Sequence, residues 1–358
     1  MLRVIFLIFT LAIYQAFLAV IMTLIIFKVI FDVLENKKKT KEILFNILKY
    51  VIIGMIGSVV YYVITLVILK LQGWSLASYG GANSFGINNL IGIKGYIINT
   101  YKNFYRYFFK ENIIYNQYWK RNIMNLLLFI FSAVSGIVII IKNKLYKEKI
   151  KMLILVVCII ILPVTINIIN IVSPTYLICL IMLESALLVY IAILKLCEFM
   201  KEGKLEKIIK IGIISVTLSL IWTFIMSDEA LYMARKEIEN NYYTVSMQIL
   251  NRVENLDGYN SNLKWMFNDS IHYKSKLAKY ATGLQSDGYE TWNNFLGTTM
   301  NEQFYQRYFG KRIKVCSENE YKEIIKTKEY KEMGVYPDKN SIKIINNIIV
   351  IKLSNNNF

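Results

Sequence analysis

Residues 123–141 read IMNLLLFIFSAVSGIVIII, residues 142–151 read KNKLYKEKIK, and residues 152–171 read MLILVVCIIILPVTINIINI. The two outer stretches carry no charged residue, whereas the middle one holds Lys142, Lys144, Lys147, Lys149 and Lys151. An α-helix rises 1.5 Å per residue and the hydrocarbon layer is about 30 Å thick, so about 20 apolar residues cross it. Apolar, basic, apolar is therefore the signature of two crossing helices joined by a connection that stays where Lys and Arg are retained. Working outward, four more stretches have the same character: 4–31 (interrupted only by Lys28), 47–69, 176–194 and 208–226. Six spans are expected, with Pro163 kinking the fourth and Pro174 marking the hairpin before the fifth.

Composition fits this reading. The 358 residues hold 42 Lys+Arg against 25 Asp+Glu, a formal charge of +17, with 55% apolar residues and three prolines. Such a charge in a soluble chain would point to a polyanion such as nucleic acid, but the apolar content excludes a disordered basic tail. Position resolves the matter. Lys37, Lys38, Lys39, Lys41 and Lys49 follow the first span, and Lys195, Lys201, Lys204, Lys207 and Lys210 separate the fifth from the sixth. With the 142–151 group these are alternate connections, as a consistent six-span topology requires, and they belong inside. No nucleic acid partner is needed. Residues 71–122, the turn at Ser173 and Pro174, and everything after Met226 then face outward. The first span would start outside, behind only Met1, Leu2 and Arg3, with no charged leader or cleavage site. That reads either as insertion driven by the lysines behind it or as a start inside a longer ancestral pattern.

The chain thus divides into 1–226, a transmembrane helical domain with an outward loop at 71–122, and 227–358, an extracytoplasmic mixed α/β domain. In the loop, residues 73–95 contain six glycines among Asn and Ser, a flexible or re-entrant stretch without a phosphate-binding glycine motif. Beyond it, Ile97, Tyr101, Phe104 and Phe108 recur at helical spacing, with Asn99, Lys102, Arg106 and Lys110 opposite. This predicts an amphipathic helix at the membrane interface. Its cations, four residues apart, form a row that suits a lipid phosphate or diphosphate and equally suits anionic headgroups. Tyr118, Trp119, Lys120 and Arg121 lead into the third span.

Residues 227–358 are almost neutral, with 18 Lys+Arg and 16 Asp+Glu. The pattern predicts a long helix over 231–256 ending at Asp257 and Gly258, a strand at 263–267, helical pieces at 275–284 and 293–309, a strand at 312–316, a helix over 318–333, and a hairpin of 342–345 with 348–353 across Asn346 and Asn347.

Few residues carry chemistry. Lys28, Lys70 and Glu184 are the ionisable groups inside spans, and only Glu184 lies mid-span, fewer than a transporter needs. Glu111, Asp228 and Glu229 are the carboxylates near the outer surface and the candidate general bases towards a sugar hydroxyl. Asp228 and Glu229 also suit the first turn of the tail helix. The scattered Cys158, Cys179, Cys197 and Cys316, of which only Cys316 sits in a polar context, predict neither a disulfide framework nor, with His272 the one histidine, a metal site.

Several stretches resemble one family. Ala12-Ile13-Tyr14-Gln15-Ala16-Phe17-Leu18 is similar to the Tyr-Gln span of the bacterial and phage polytopic membrane glucosyltransferases that convert O-antigen serotype. The helix from Ala230-Leu231-Tyr232 through Ile249-Leu250-Asn251-Arg252 to Tyr259 resembles the same family's tail, as do Thr327-Lys328-Glu329-Tyr330, Tyr336-Pro337 and Val350-Ile351-Lys352-Leu353-Ser354. The resemblance implies a bundle like the C-type glycosyltransferases. It also implies transfer of glucose from polyprenyl-phosphate-glucose to a cell-surface polysaccharide at the outer face of the cytoplasmic membrane, without a cofactor. Lys102, Arg106, Lys110, Lys120 and Arg121, with Tyr118 and Trp119, would hold the lipid phosphate. The family's acidic loop precedes the Tyr-Gln span, so the resemblance implies an N-terminally shortened member in which Glu111, Asp228 and Glu229 stand as substitutes. Two other classes fit the pattern: a non-catalytic membrane protein whose outer domain binds glycan or a partner, and a flippase for lipid-linked sugar.

Overall fold

The computed structural model describes residues 2–75, 90–110, 119–172, 184–200, 203–269 and 298–355. It forms two compact units, Met1–Ile225 and a second that begins at Met226.

The first unit is helical: α1 (Leu2–Ile13), α2 (Phe17–Glu35), α3 (Thr40–Gln72), α4 (Leu90–Phe109), α5 (Trp119–Lys142), α6 (Lys149–Ile166), α7 (Ile169–Val172), α8 (Glu184–Phe199) and the start of α9 (Lys204–Glu254). Among the described residues, five helical segments are long and apolar enough to cross a membrane: Phe17–Glu35, Thr40–Gln72, Lys120–Lys142, Lys149–Ile166 and Lys204–Glu229. Their outer surface is inverted relative to that of a water-soluble protein, and polar groups are set within the apolar interior. Phe45, Leu48, Val51, Ile56 and Ile64 are exposed over a broad part of the circumference of α3, while Thr23, Asn125, Thr165, Asn167 and Ser185 are buried between helices. A surface of apolar side chains over a polar-stitched interior is stable only against hydrocarbon. The protein is a multipass helical membrane protein.

Two expectations about the spans need correction, and a third falls partly outside the described residues. The stretch 4–31 is not one helix. It breaks at Tyr14, Gln15 and Ala16, where amides of Phe17, Leu18 and Ala19 bond three residues back, to Tyr14, Gln15 and Ala16 carbonyls, instead of four. No Gly or Pro marks the break; the polar Gln15 leaves the helix ladder and donates its amide to the Tyr61 hydroxyl of α3 at 3.1 Å. The fourth stretch ends early, because α6 stops at Ile166, three residues past Pro163, and the Asn167 amide caps the Pro163 carbonyl. Of the fifth, 176–194, only Glu184 onward, in α8, lies within the described residues, and the Glu184 side chain is exposed there. Pro174 lies outside them.

The lysine-rich connections gather at one end of the unit. Asn36, in a left-handed conformation after α2, donates to the Asn143 carbonyl at 3.0 Å, and Asn143 returns a bond to the Leu34 carbonyl at 2.7 Å. Lys151 of α6 donates to Asn36 at 2.6 Å and pairs with Glu148 at 2.9 Å. Lys142 at the end of α5 pairs with the buried Glu206 at the start of α9, and Phe199 at the end of α8 stacks on Phe31 with centroids 5.5 Å apart. Buried Asp32, at the edge of the first predicted span, accepts from Lys28 and Lys38, both at 2.8 Å, and raises the pKa of the Lys38 ammonium. Lys28 is thus a paired charge rather than a solitary one.

The second unit is a three-layer α/β fold. After α9 come β1 (Lys264–Phe267), α10 (Thr298–Phe309), β2 (Lys314–Val315), α11 (Glu318–Ile324), α12 (Lys328–Lys331), β3 (Ile342–Ile345) and β4 (Ile348–Ile351). The sheet order is β2-β1-β4-β3, with β1 parallel to both neighbours and β3–β4 a hairpin. Asn346 and Asn347 both have positive φ, 50° and 60°, which matches the right-handed twist of a two-residue hairpin. Strand alternation fills two cores. Trp265, Ile349 and Ile351 meet Tyr242, Ile249 and Val253 of α9 and Tyr305 of α10; Met266, Ile348 and Val350 meet Ile324 of α11 and Tyr330 of α12. Cys316 is buried in the second core, where desolvation raises its thiol pKa, so its context is not polar. The helix predicted over 318–333 is two short ones. The break falls at Thr327, whose side chain caps α12 by accepting from the Tyr330 amide. The helix expected over 275–284 lies outside the described residues.

Two packing details generate measurable expectations. A Cβ at Gly57 of α3 would stand 2.4 Å from Cδ2 of Leu7 in α1, so the helices touch through the missing side chain. Gly57→Ala should destabilise by about 1–3 kcal/mol, and combining it with Leu7→Ala should leave the protein at least about 0.5 kcal/mol more stable than additivity predicts. Thermal midpoints in detergent check this, and additive losses would contradict the contact. At the start of α11, Glu320 is lowered from 4.5 to about 2, first by Lys264 at 2.6 Å and then by the capping bonds of Ser317. A depressed carboxylate stabilises above its ordinary value and loses that contribution as pH falls through the folded one. The difference in melting temperature between the protein and Glu320→Gln should therefore be largest above pH 4.5 and vanish towards pH 2.

Candidate functional site

The cation row sits on α4, and side-chain bonds to the unit's other helices fix how that helix lies. Asn167 donates to the Thr100 carbonyl at 3.2 Å. Tyr101 donates to the Ile160 carbonyl at 2.6 Å, in the turn of α6 just before Pro163, where the ring loosens the ladder. Asn125 of α5 donates to the Phe108 carbonyl at 2.9 Å and accepts from the Tyr190 hydroxyl of α8 at 3.0 Å. Between these bonds an aromatic cluster closes: Phe108 lies 4.8 Å from Phe104, 5.2 Å from Phe129 and 5.6 Å from Tyr190.

The buried face is therefore Thr100, Phe104, Tyr107 and Phe108, packed on α5, α6 and α8. This differs from a helix lying in the interface on Ile97, Tyr101, Phe104 and Phe108: Ile97 and Tyr101 are exposed. The polar hydroxyl of Tyr101 and the carbonyl-binding Asn125 and Asn167 decide the rotation. Hydropathy alone does not carry that information.

Lys102, Arg106 and Lys110 all lie exposed on the other side. Four residues of helix advance about 6 Å, so the three heads span the reach of a phosphate-bearing headgroup. Arg106 also lies in the C-terminal turn, where positive charge is favoured by the helix dipole, and Lys110 follows the helix end directly. At the start of α5, Lys120 is exposed, while Arg121 is buried and reaches Asn122 at 3.5 Å. Trp119 is the first residue of that helix. Glu111 and Tyr118 lie outside the described residues.

The other two carboxylates stand elsewhere. Asp228 and Glu229 are exposed and belong to the second unit. They do not start a helix, since α9 runs unbroken from Lys204 to Glu254, so the reading of them as first-turn charges is overturned. The cations of α4 and α5 belong to the first unit and these carboxylates to the second. Sequence reasoning missed Thr100, Asn125, Asn167 and Tyr190, which hold the row in place. The available signal was asparagine inside apolar stretches, where an amide without a partner is costly. Among the described residues no group of three or more His, Cys, Asp or Glu is arranged to hold a metal ion.

A family model described as Glucosyl transferase GtrII matches residues 2–183, a segment that includes the Tyr14–Gln15 break, the cation row and, of its anchors, Thr100, Asn125 and Asn167. No curated protein and no solved structure matches the chain. The chain belongs to the GtrII glucosyl transferase family.

Proposed function

We propose that the protein transfers glucose from polyprenyl-phosphate-glucose to a cell-surface polysaccharide at the outer face of the cytoplasmic membrane. The observation that carries this reading is an exposed row of three cations on a helix locked into a membrane bundle, inside the segment that matches the family. The lysine-rich end of the bundle lies inside, in keeping with the distribution of Lys and Arg. The cation row and, one crossing further along α9, the second unit then face outward.

The chemistry needs two groups. A carboxylate takes the proton from the acceptor hydroxyl as its oxygen bonds to the anomeric carbon of glucose. The bond from that carbon to the phosphate oxygen breaks, and the electron pair leaves with the polyprenyl phosphate. Lys102, Arg106, Lys110, Lys120 and Arg121 stabilise the anion that departs, because charge placed beforehand where charge develops lowers the barrier. Lys120 and Arg121 lie next to Trp119 and Tyr118, aromatic residues suited to the headgroup level. Glu111, Asp228 and Glu229 are the candidates for the base. The sugar-phosphate is a substrate, and no cofactor enters the scheme.

Purified protein in liposomes with radiolabelled polyprenyl-phosphate-glucose and surface polysaccharide should move label to the polysaccharide. Replacing Lys102, Arg106 and Lys110 together by Ala should lower kcat/KM by about 10²-fold or more, while Lys94→Ala, an exposed cation of the same helix, leaves it unchanged. One of Glu111→Gln, Asp228→Asn or Glu229→Gln should lower the rate about 10²–10⁴-fold. Movement of the intact lipid across the bilayer without loss of its sugar would overturn the transferase reading in favour of a flippase.

A further inference from the structure

The second unit carries a surface feature that the transfer chemistry does not use. Glu239 and Tyr243 lie four residues apart on α9 and so share a face. Against them end Tyr308 and Phe309 of α10. Tyr308 donates its hydroxyl proton to Glu239. Tyr243 stacks on Phe309 with centroids 5.1 Å apart and planes 24° apart, and meets Tyr308 at 6.0 Å and 61°. The rings are braced from behind: buried Phe304 lies flat against Tyr308 at 4.5 Å and edge-on to buried Tyr242, also at 4.5 Å. Tyr242 is fixed in turn by its hydroxyl bond to buried Asn301.

Rings held this way form a wall that needs no ordering when a ligand arrives. Tyr243 is 38% exposed, and Tyr308 and Phe309 are half-buried, so each presents part of its ring to solvent. Aromatic rings take the C–H face of a pyranose, and a tyrosine adds a polar tip at low entropic cost. A carboxylate has about four acceptor positions and no donor. The one bond from Tyr308 leaves Glu239 capacity for sugar hydroxyls, which are donors. Exposed Lys236 and Asn240 flank Glu239 on the same helix and supply donors for hydroxyl and ring oxygens. The unit's charge is nearly balanced, 18 cations against 16 anions over residues 227–358, so its net charge does not select a polyanion. The ligand that matches is neutral and hydroxylated, with an apolar face.

We propose that Tyr243, Tyr308 and Phe309, with Glu239 at their rim, form a binding platform for a neutral pyranose chain. Identifying that chain as the acceptor rests on the transferase reading above; the platform itself does not. Acceptor recognition is then carried by the second unit and donor phosphate by the first.

The test uses the full-length protein in nanodiscs against two immobilised probe sets, neutral hexopyranose tetrasaccharides and uronic-acid tetrasaccharides. The protein should retain neutral chains. Tyr243→Ala should weaken binding about tenfold, the scale of one well-placed aromatic contact, and Tyr243→Phe less than about twofold, since the ring remains. Glu239→Gln, which keeps the volume, should weaken it about threefold or more, as the loss of a charged acceptor requires; it serves if Tyr243→Ala lowers the thermal midpoint. Preference for uronic-acid chains, absence of neutral binding, or neutral binding that ignores these substitutions would overturn the platform. Glucosyl transfer without neutral-chain binding would sink the platform and leave the transferase reading standing. Binding without transfer would do the reverse.

Discussion

In hydrocarbon a backbone carbonyl or a polar side chain has no water to turn to, and the first unit is built around that constraint. Its helices gain little from burying leucine against lipid, which is as apolar as leucine itself. What selects one arrangement is the small set of polar groups that must find each other. At the lysine-rich end, Asn36, Asn143 and Lys151 exchange bonds among the ends of three helices. Towards the other end, Asn125 and Asn167 hold two carbonyls of α4. Each such bond is worth on the order of 1 kcal/mol in a membrane. The alternative, an amide or ammonium left unpaired in lipid, costs several times as much. These bonds therefore act mainly by excluding other packings.

The cation row follows from this. Lys102, Arg106 and Lys110 would face any direction on a free helix. Three side-chain bonds and the cluster around Phe108 fix the rotation of α4 and leave the row outside. In the proposed chemistry the polar interior and the phosphate site are one construction: the buried amides position the helix and the helix positions the charge. The second unit obeys the opposite rule. It has two cores separated by a sheet, polar residues outside, and aromatic rings braced in rows, as a domain in water does.

How much of this is legible in the sequence depends on which force decides each element. Where hydropathy decides, the reading is close: the stretches at 47–69 and 123–141 lie within α3 and α5. Alternation is equally readable, and the hairpin about Asn346 and Asn347, the strand at 263–267 and the left-handed Gly258 after α9 are where the pattern puts them. Legibility fails where a side-chain bond outweighs hydropathy. Uniformly apolar neighbours conceal the break at Tyr14 and Gln15, which depends on Tyr61, 46 residues away. The continuity of α9 through Asp228 and Glu229 is hidden because a charged residue reads as an end, although nothing there stops a helix. The rotation of α4 is set by partners in α5, α6 and α8, and no local pattern encodes them. Of the candidate site, the cations are legible and their anchors are not.

The proposed topology puts the α4 cation row on the outer side of the membrane and the lysine-rich connections on the inner side. Labelling with a membrane-impermeant maleimide tests it most directly, using right-side-out vesicles and variants without the native cysteines. Lys102→Cys on α4 and Asn346→Cys in the hairpin of the second unit should label in sealed vesicles, and Lys147→Cys only after permeabilisation. Labelling of Lys147→Cys in sealed vesicles, with Lys102→Cys protected until they are opened, would contradict the account.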